Sequence, residues 1–299
     1  MSMIIYKTPG RRLFNGFNLL FLLLLSIICL LPMVHVLALS LSDKSLADAG
    51  LVGLWPQKTN VDSYRYIFRT SEFFNGFRIS VIRVLLGLII NITLVVMTAY
   101  PLSKEKNGFR GRTYIVWYFV FTMLFGGGLI PLYMTVRATG IMDSIWALVL
   151  PGALPVFNMV LMINFFRSLP KELEESALID GAGHWTILWR IYIPLSLAGI
   201  ATITLFTMVG HWNSWFDGLI FMNSPERYPL QSYLQTVIVG LTNALTTKVF
   251  SENWRILAKI SDRTVKAAQI FVAAIPILAV YPFLQKYFVK GLVLGSVKQ

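Results

Sequence analysis

Six stretches of this chain run uncharged for long enough to cross a bilayer as helices, and this limits its fold more than any other feature. Phe17–Leu41, Val84–Leu102, Thr113–Val136, Ile145–Phe166, Ile191–Phe216 and Ala267–Leu284 contain no Lys or Arg. A hydrocarbon core is roughly 30 Å thick and an α-helix rises about 1.5 Å per residue, so about 20 apolar residues span it. The balance of residues agrees: 56% are hydrophobic and only 13% charged, which excludes an ordinary soluble domain. The expected fold is all-α and integral to the membrane, a single transmembrane domain over residues 1–299. Its six helices are expected at about 17–41, 80–102, 113–136, 145–166, 191–216 and 267–288, with a loop at 167–193. The first run exceeds the apolar core of a signal peptide, and no A-x-A-like site follows it before "SDKSLADAG", so it stays as a helix.

An even number of spans puts both termini on one side, and short basic segments mark that side as cytoplasmic. They are Lys7, Arg11 and Arg12, then Lys104, Lys106, Arg110 and Arg112, then Lys286, Lys290 and Lys298. Arg255, Lys259 and Arg263 fall in a longer opposite loop, where the rule weighs little. The net charge of +12 flanks spans and forms no stripe on a soluble domain, so nucleic acid is no partner. One cysteine, Cys29, lies inside the first span and reads as a buried, inert thiol. His35 and His184 lack a second ligand at i+4 and read as packing and surface residues, which leaves no metal site.

Outside the membrane, the segment after the first span contains "VDSYRYIF", a short helix for which Asp62 is the expected N-cap. A polar external segment over about 223–266 is expected to hold a surface helix. The cytoplasmic stretch "KELEESALIDGAGHWTILWRIYIP" is unusual in so apolar a chain. Its opening residues form a short amphipathic helix, in which Leu173, Ala177 and Leu178 make an apolar face among charges. Pro170 suits the first turn, and acids follow where the helix dipole favours them. Gly181 and Gly183 end that helix, and "HWTILWRIYIP" restarts as a second one running into the fifth span. The product is a protruding elbow, suited to docking a protein; its acidic flanks disfavour a helix lying in lipid headgroups.

"ESALIDGA" from Glu175 to Ala182, followed by Leu188, Ile191, Ile193 and Pro194, resembles the EAA loop of permease subunits in binding-protein-dependent ABC importers. Ser176, Leu188 and Ile193 depart mildly from the family pattern of alanine, aromatic and leucine at those places. "LIPLYMTVRATGIMDSIWALVLPGA", "GHWNSWFDGLIF" and "YPFLQKYFVKGLVLGSVK" resemble carbohydrate permeases of the maltose-permease second-subunit type. "FGGGLIP" and "YPFLQKYF" resemble the polysaccharide and alginate-oligosaccharide branch.

The resemblance implies a prokaryotic inner-membrane permease that imports oligosaccharide. It pairs with a homologous permease, two ATP-binding cassette subunits and an extracytoplasmic solute-binding protein. Glu175, Ser176, Ala177, Asp180, Gly181, Ala182 and Pro194 would form the coupling site on the ATPase, which the tail around Lys290, Gly291 and Gly295 would also reach. The chain has no Gly-Lys dipeptide and hence no phosphate loop, so ATP and Mg belong to the partner and this chain holds no cofactor. Intramembrane polar groups are costly unless paired or wetted, which makes Asn91, Asn158, Asn164, His211, Trp212, Asn213 and Trp215 candidates for the substrate path. Arg83 is expected to snorkel to the external interface, with a substrate role if the sugar is acidic. No metalloprotease motif or catalytic pair lies in the spans, and no ionisable group suited to ion coupling, which argues against an enzyme or a secondary carrier. An importer of the same architecture for a non-sugar solute remains the alternative.

Overall fold

Backbone amides in hydrocarbon find no water, so they must pair within their own segment. The computed structural model describes residues 9–104, 109–239 and 261–295, and all regular structure among them is helical. In chain order the helices are α1 Pro9–Ser40, α2 Lys44–Asp48, α3 Asp62–Arg69, α4 Ser71–Ser103, α5 Arg112–Leu124, α6 Leu129–Ala138, α7 Ile145–Val149 and α8 Val156–Arg167. They continue as α9 Glu172–Ile179, α10 His184–Ile187, α11 Ile193–Leu195, α12 Leu197–Asn213, α13 Phe216–Phe221, α14 Leu230–Val239 and α15 Asp262–Gly295. Lys7, Lys106, Arg255, Lys259 and Lys298, with most of the expected surface helix, lie outside the described residues, as do the side chains of the tail from Lys290.

By length and apolarity α1, α4 and the segment Asp262–Val280 can each cross a membrane alone. The other three uncharged runs qualify only as bent pairs, so the spans number six if each pair is one span. Each bend has a local cause. The pair α5 and α6 turns by 112° across three glycines, of which Gly128 has φ +88°, a region that side chains avoid. Ile145–Gly152 meets α8 at 48° beside Pro151 and Pro155. His184–Leu195 meets α12 at 80°, two residues after Pro194, which has no N–H to give the Arg190 carbonyl. A π turn over Leu188–Tyr192 precedes that break. The fifth uncharged run therefore becomes straight only at Leu197, and the elbow does not run smoothly into it.

The chain divides into two compact units, 1–70 with 240–274 and 71–239 with 275–299. In the first, α1 buries only Ala38 and Ser40. Cys29 is exposed, contrary to the buried thiol expected, because the apolar surface of α1 is uncovered along that length. Asp62 is the first residue of α3 and not its cap; Val61 holds the cap position. Asn60 Oδ1 accepts from the Asp62 amide at 2.8 Å, while the Asp62 carboxylate pairs with Arg65 at 3.0 Å. Ser63 Oγ donates to Thr264 Oγ1 at 2.9 Å, tying α3 to the first turn of α15.

In the second unit α4 packs against α8, α12 and α14. Val95, Val96, Ala99 and Tyr100 of α4 form one buried cluster with Met159, Met162 and Phe166 of α8, Ile187, Leu188 and Tyr192 of the elbow, and Ile203 of α12. Helices α8 and α12 approach closely where Gly199 meets the Phe165 ring, and a Cβ there would stand 2.7 Å from Phe165 Cγ. Gly199→Ala should therefore cost about 1–3 kcal/mol through overpacking. Gly210→Ala, with nothing within 4 Å of its added carbon, should not destabilise, and thermal unfolding of the two variants in one detergent compares them.

Candidate functional site

The elbow is built from the bend outward. Glu172, Glu174 and Glu175 occupy the first turn of α9, where the exposed amides favour negative charge. Its far end closes with two hydrogen bonds, Gly181 N–H to Leu178 O at 3.0 Å and Ala182 N–H to Ala177 O at 2.9 Å, and Gly181 has φ +81°. This is a Schellman ending, and it explains the small residues of the motif. Ala177 and Ala182 carry the bond that closes the wider loop of chain, and both press on the buried cluster. Gly183 differs from expectation: it is extended and caps α10 (φ −74°, ψ 160°), so one glycine makes the turn. Of the apolar set only Ala177 packs inward. Leu173 and Leu178 are exposed, and Ile179 is 86% exposed, beside the exposed Glu175, Ser176 and Asp180. Pro194 is also exposed, just before the break.

One acid of the elbow turns inward. Glu174 Oε1 pairs with Lys104 Nζ at 2.6 Å, and Glu174 Oε2 accepts from Tyr192 Oη at 2.5 Å. The ammonium lies 3.9 Å from the Tyr100 ring centre and 4.1 Å from that of Tyr192. Burial alone would raise the Glu174 carboxyl, but the bonds from Lys104 and Tyr192 hold it below its ordinary value. Burial pushes the Lys104 ammonium down, against the lift from Glu174.

Within the membrane-spanning region of the same unit, α4, α7, α8, α12 and α13 border an open cavity of ≈ 470 Å³ whose mostly apolar wall carries a few polar groups, inside the size range of ligand pockets. Arg83, Asn91, Asn158 and His211 all line it; Asn164, Trp212, Asn213 and Trp215 do not. Asn158 Nδ2 donates to Thr207 Oγ1 at 3.3 Å. The Asn91 amide, oriented to satisfy both ends, donates to Ala153 O at 3.1 Å and Gly87 O at 3.2 Å and accepts from His211 Nε2 at 3.2 Å. His211 fits only because residue 87 is glycine: a Cβ there would lie 2.3 Å from Nε2. Asn164 and Asn213 are exposed. Trp212 is buried edge-on to Phe77, and the Trp215 carbonyl accepts from Ser232 Oγ at 2.6 Å.

Arg83 does not snorkel. It is 2% exposed, pairs with Asp217 through both terminal nitrogens and donates to Ser214 O at 3.2 Å. A buried cation needs a nearby anion more than it needs distant water. Asp217 also accepts from Ser214 Oγ at 2.8 Å and from Gly218 N–H at 2.9 Å. Asp217, Ser214 and Thr207 are not evident from the sequence, although Asp217 is the only acid between Asp180 and Glu226, a signal that it could serve a lone Arg83.

Arg83→Met and Asp217→Asn should each destabilise, and the double variant should be more stable than their sum by about 1–3 kcal/mol, read by unfolding in detergent. Because the folded Glu174 carboxyl titrates below the free one, its stabilisation is complete above the free value of about 4.3 and is lost as pH falls through the lower folded value. The melting difference between wild type and Glu174→Gln should therefore hold steady from about pH 7 to 5 and close below that range.

A family model described as "Binding-protein-dependent transport system inner membrane component" matches residues 84–294. Protein LplC of Bacillus subtilis is 38% identical, over 98% of this chain and 97% of its own. The polygalacturonan/rhamnogalacturonan transport system permease protein YtcP of the same organism is 38% identical, over 96% and 99%. A crystal structure of a bacterial ABC transporter involved in the import of the acidic polysaccharide alginate aligns with TM-score 0.85 and 31% identity, covering 95% of this chain and 99% of that one. The long apolar helices and these matches over nearly the full length place the chain in the family of binding-protein-dependent transport system inner membrane components, as a multi-pass ABC importer permease and not an enzyme.

Proposed function

We propose that this permease imports oligosaccharides, with uronate-containing chains as the first class to test, and that it is driven by a separate ATPase. The substrate class is supported by the names of the relatives, which transport polygalacturonan, rhamnogalacturonan and alginate. The observation that carries the coupling role is the elbow, where exposed Leu173, Leu178 and Ile179 flank Glu175 beyond a fixed bend. An apolar patch with an adjacent acid suits a basic-rimmed protein cleft better than water or headgroups. Glu175, Ser176, Asp180 and Pro194 would meet the ATPase, while Ala177, Gly181 and Ala182 set the bend. ATP and Mg reside on that partner.

The working complex holds a homologous permease, two ATPase subunits and an external solute-binding protein, with both termini of this chain in the cytoplasm. ATP closure of the ATPases moves the elbows as rigid bodies and exchanges inward-open for outward-open states. On this subunit the sugar would meet Asn91, Asn158 and His211 in the cavity, with Arg83 held beside them by Asp217.

Tagged chain purified from solubilised native membranes should bring down a second permease and an ATPase. Glu175→Ala combined with Gly181→Pro should keep the permease and lose the ATPase. Uptake of a labelled oligogalacturonide should be competed by unlabelled oligogalacturonide or alginate oligomer and not by amino acids or peptides. A wild-type chain that emerges alone overturns the coupling role; competition by a non-sugar solute overturns the substrate class.

A further inference from the structure

We propose that Lys104, Glu174 and Tyr192, closed by Tyr100, form the joint that passes motion of the elbow to α4; the proposal rests on the reading that the elbow docks an ATPase. Of the charged side chains on α9, Glu174 alone turns inward, while Glu172 and Glu175 are exposed. Pairing half-buried charges gains little net stability once desolvation is counted, so such a pair is better explained by the geometry it fixes. Here it fixes three segments at one point: α4 through Tyr100 and through Lys104 just past its end, α9 through Glu174, and the π turn through Tyr192. Tyr100 and Tyr192 meet edge to face at 5.0 Å, and Phe166 of α8 packs on both.

The end of α4 is gripped by more than the elbow. Arg167, at the end of α8, donates to Ser103 O and Leu102 O, each at 3.4 Å. Arg112, at the start of α5, donates to Lys104 O at 3.0 Å. These cations satisfy carbonyls that a helix end leaves open. Helix α4 continues from this node to Asn91 and Arg83 in the cavity wall. At about 1.5 Å per residue it is a rod of roughly 30 Å between the node and Arg83. A displacement of α9 that keeps the joint intact moves that wall; without the joint, the elbow can move while α4 stays.

The test uses the assembled importer in proteoliposomes with its binding protein, an oligogalacturonide substrate and a count of substrate imported per ATP. Lys104→Met should leave ATPase co-purification and basal hydrolysis intact, because the exposed face of α9 is untouched, and should lower import per ATP about tenfold, a coupling of the usual allosteric size. Lys104→Arg should restore most of it, since a guanidinium can both stack on the rings and pair with the carboxylate. The swap Lys104→Glu with Glu174→Lys should fail to restore it, because a carboxylate over two ring faces is repelled. Tyr192→Phe, which removes only one hydroxyl, should show an intermediate loss and serves if the Lys104→Met complex does not assemble. Normal import per ATP in Lys104→Met or in Tyr192→Phe, or full rescue by the swap, overturns the joint. An ATPase missing from the wild-type preparation as well overturns the docking reading instead.

Discussion

Inside a bilayer an unpaired amide or charge costs several kcal/mol, and that single cost accounts for where this chain is regular and where it breaks. Helices persist through the uncharged runs, and the bends fall beside Gly126 to Gly128, Pro151 with Pro155, and Pro194. The same cost explains the pairing of polar side chains across the second unit. Arg83 meets Asp217, Asn158 meets Thr207, and Asn91 meets both His211 and backbone carbonyls. A cavity can be lined with polar groups in such a place because each has a first partner in the protein and spare capacity to offer a hydroxylated ligand.

Helix α4 concentrates these roles. It supplies part of the cavity wall and much of the buried cluster, and Lys104, the residue after its last turn, makes the contact with the elbow. Its C-terminal carbonyls are met by Arg112 and Arg167, so its end is pinned from three directions.

Much of this is legible in the sequence. The uncharged runs, the elbow helix, the turn at Gly181, and Asn91, Asn158 and His211 as polar groups in the spans can all be read from residue type and spacing. What escapes is whatever depends on a partner far along the chain. Arg83 looks like an interfacial cation because nothing in its own span can neutralise it; Asp217 does so from the end of another. Lys104 looks like one of several cytoplasmic charges, and Glu174 like one of several helix-opening acids, until the fold brings them to the same tyrosines. Glycine and proline mark the possible bends without giving their size, since the same residues also occur in straight membrane helices. Cys29 is misjudged because an apolar helix gives no sign of whether protein or lipid covers it.

Gly87 and His211 are one steric unit. The imidazole occupies the volume that any other residue at position 87 would claim, so the α4 backbone meets the ring directly there, while Arg83 and Asn91 supply the α4 lining of the cavity. A side chain at 87 therefore requires a smaller residue at 211. Room in the cavity is more simply altered at the apolar lining residues Leu132, Phe206 and Phe221, whose side chains have no hydrogen bond to lose.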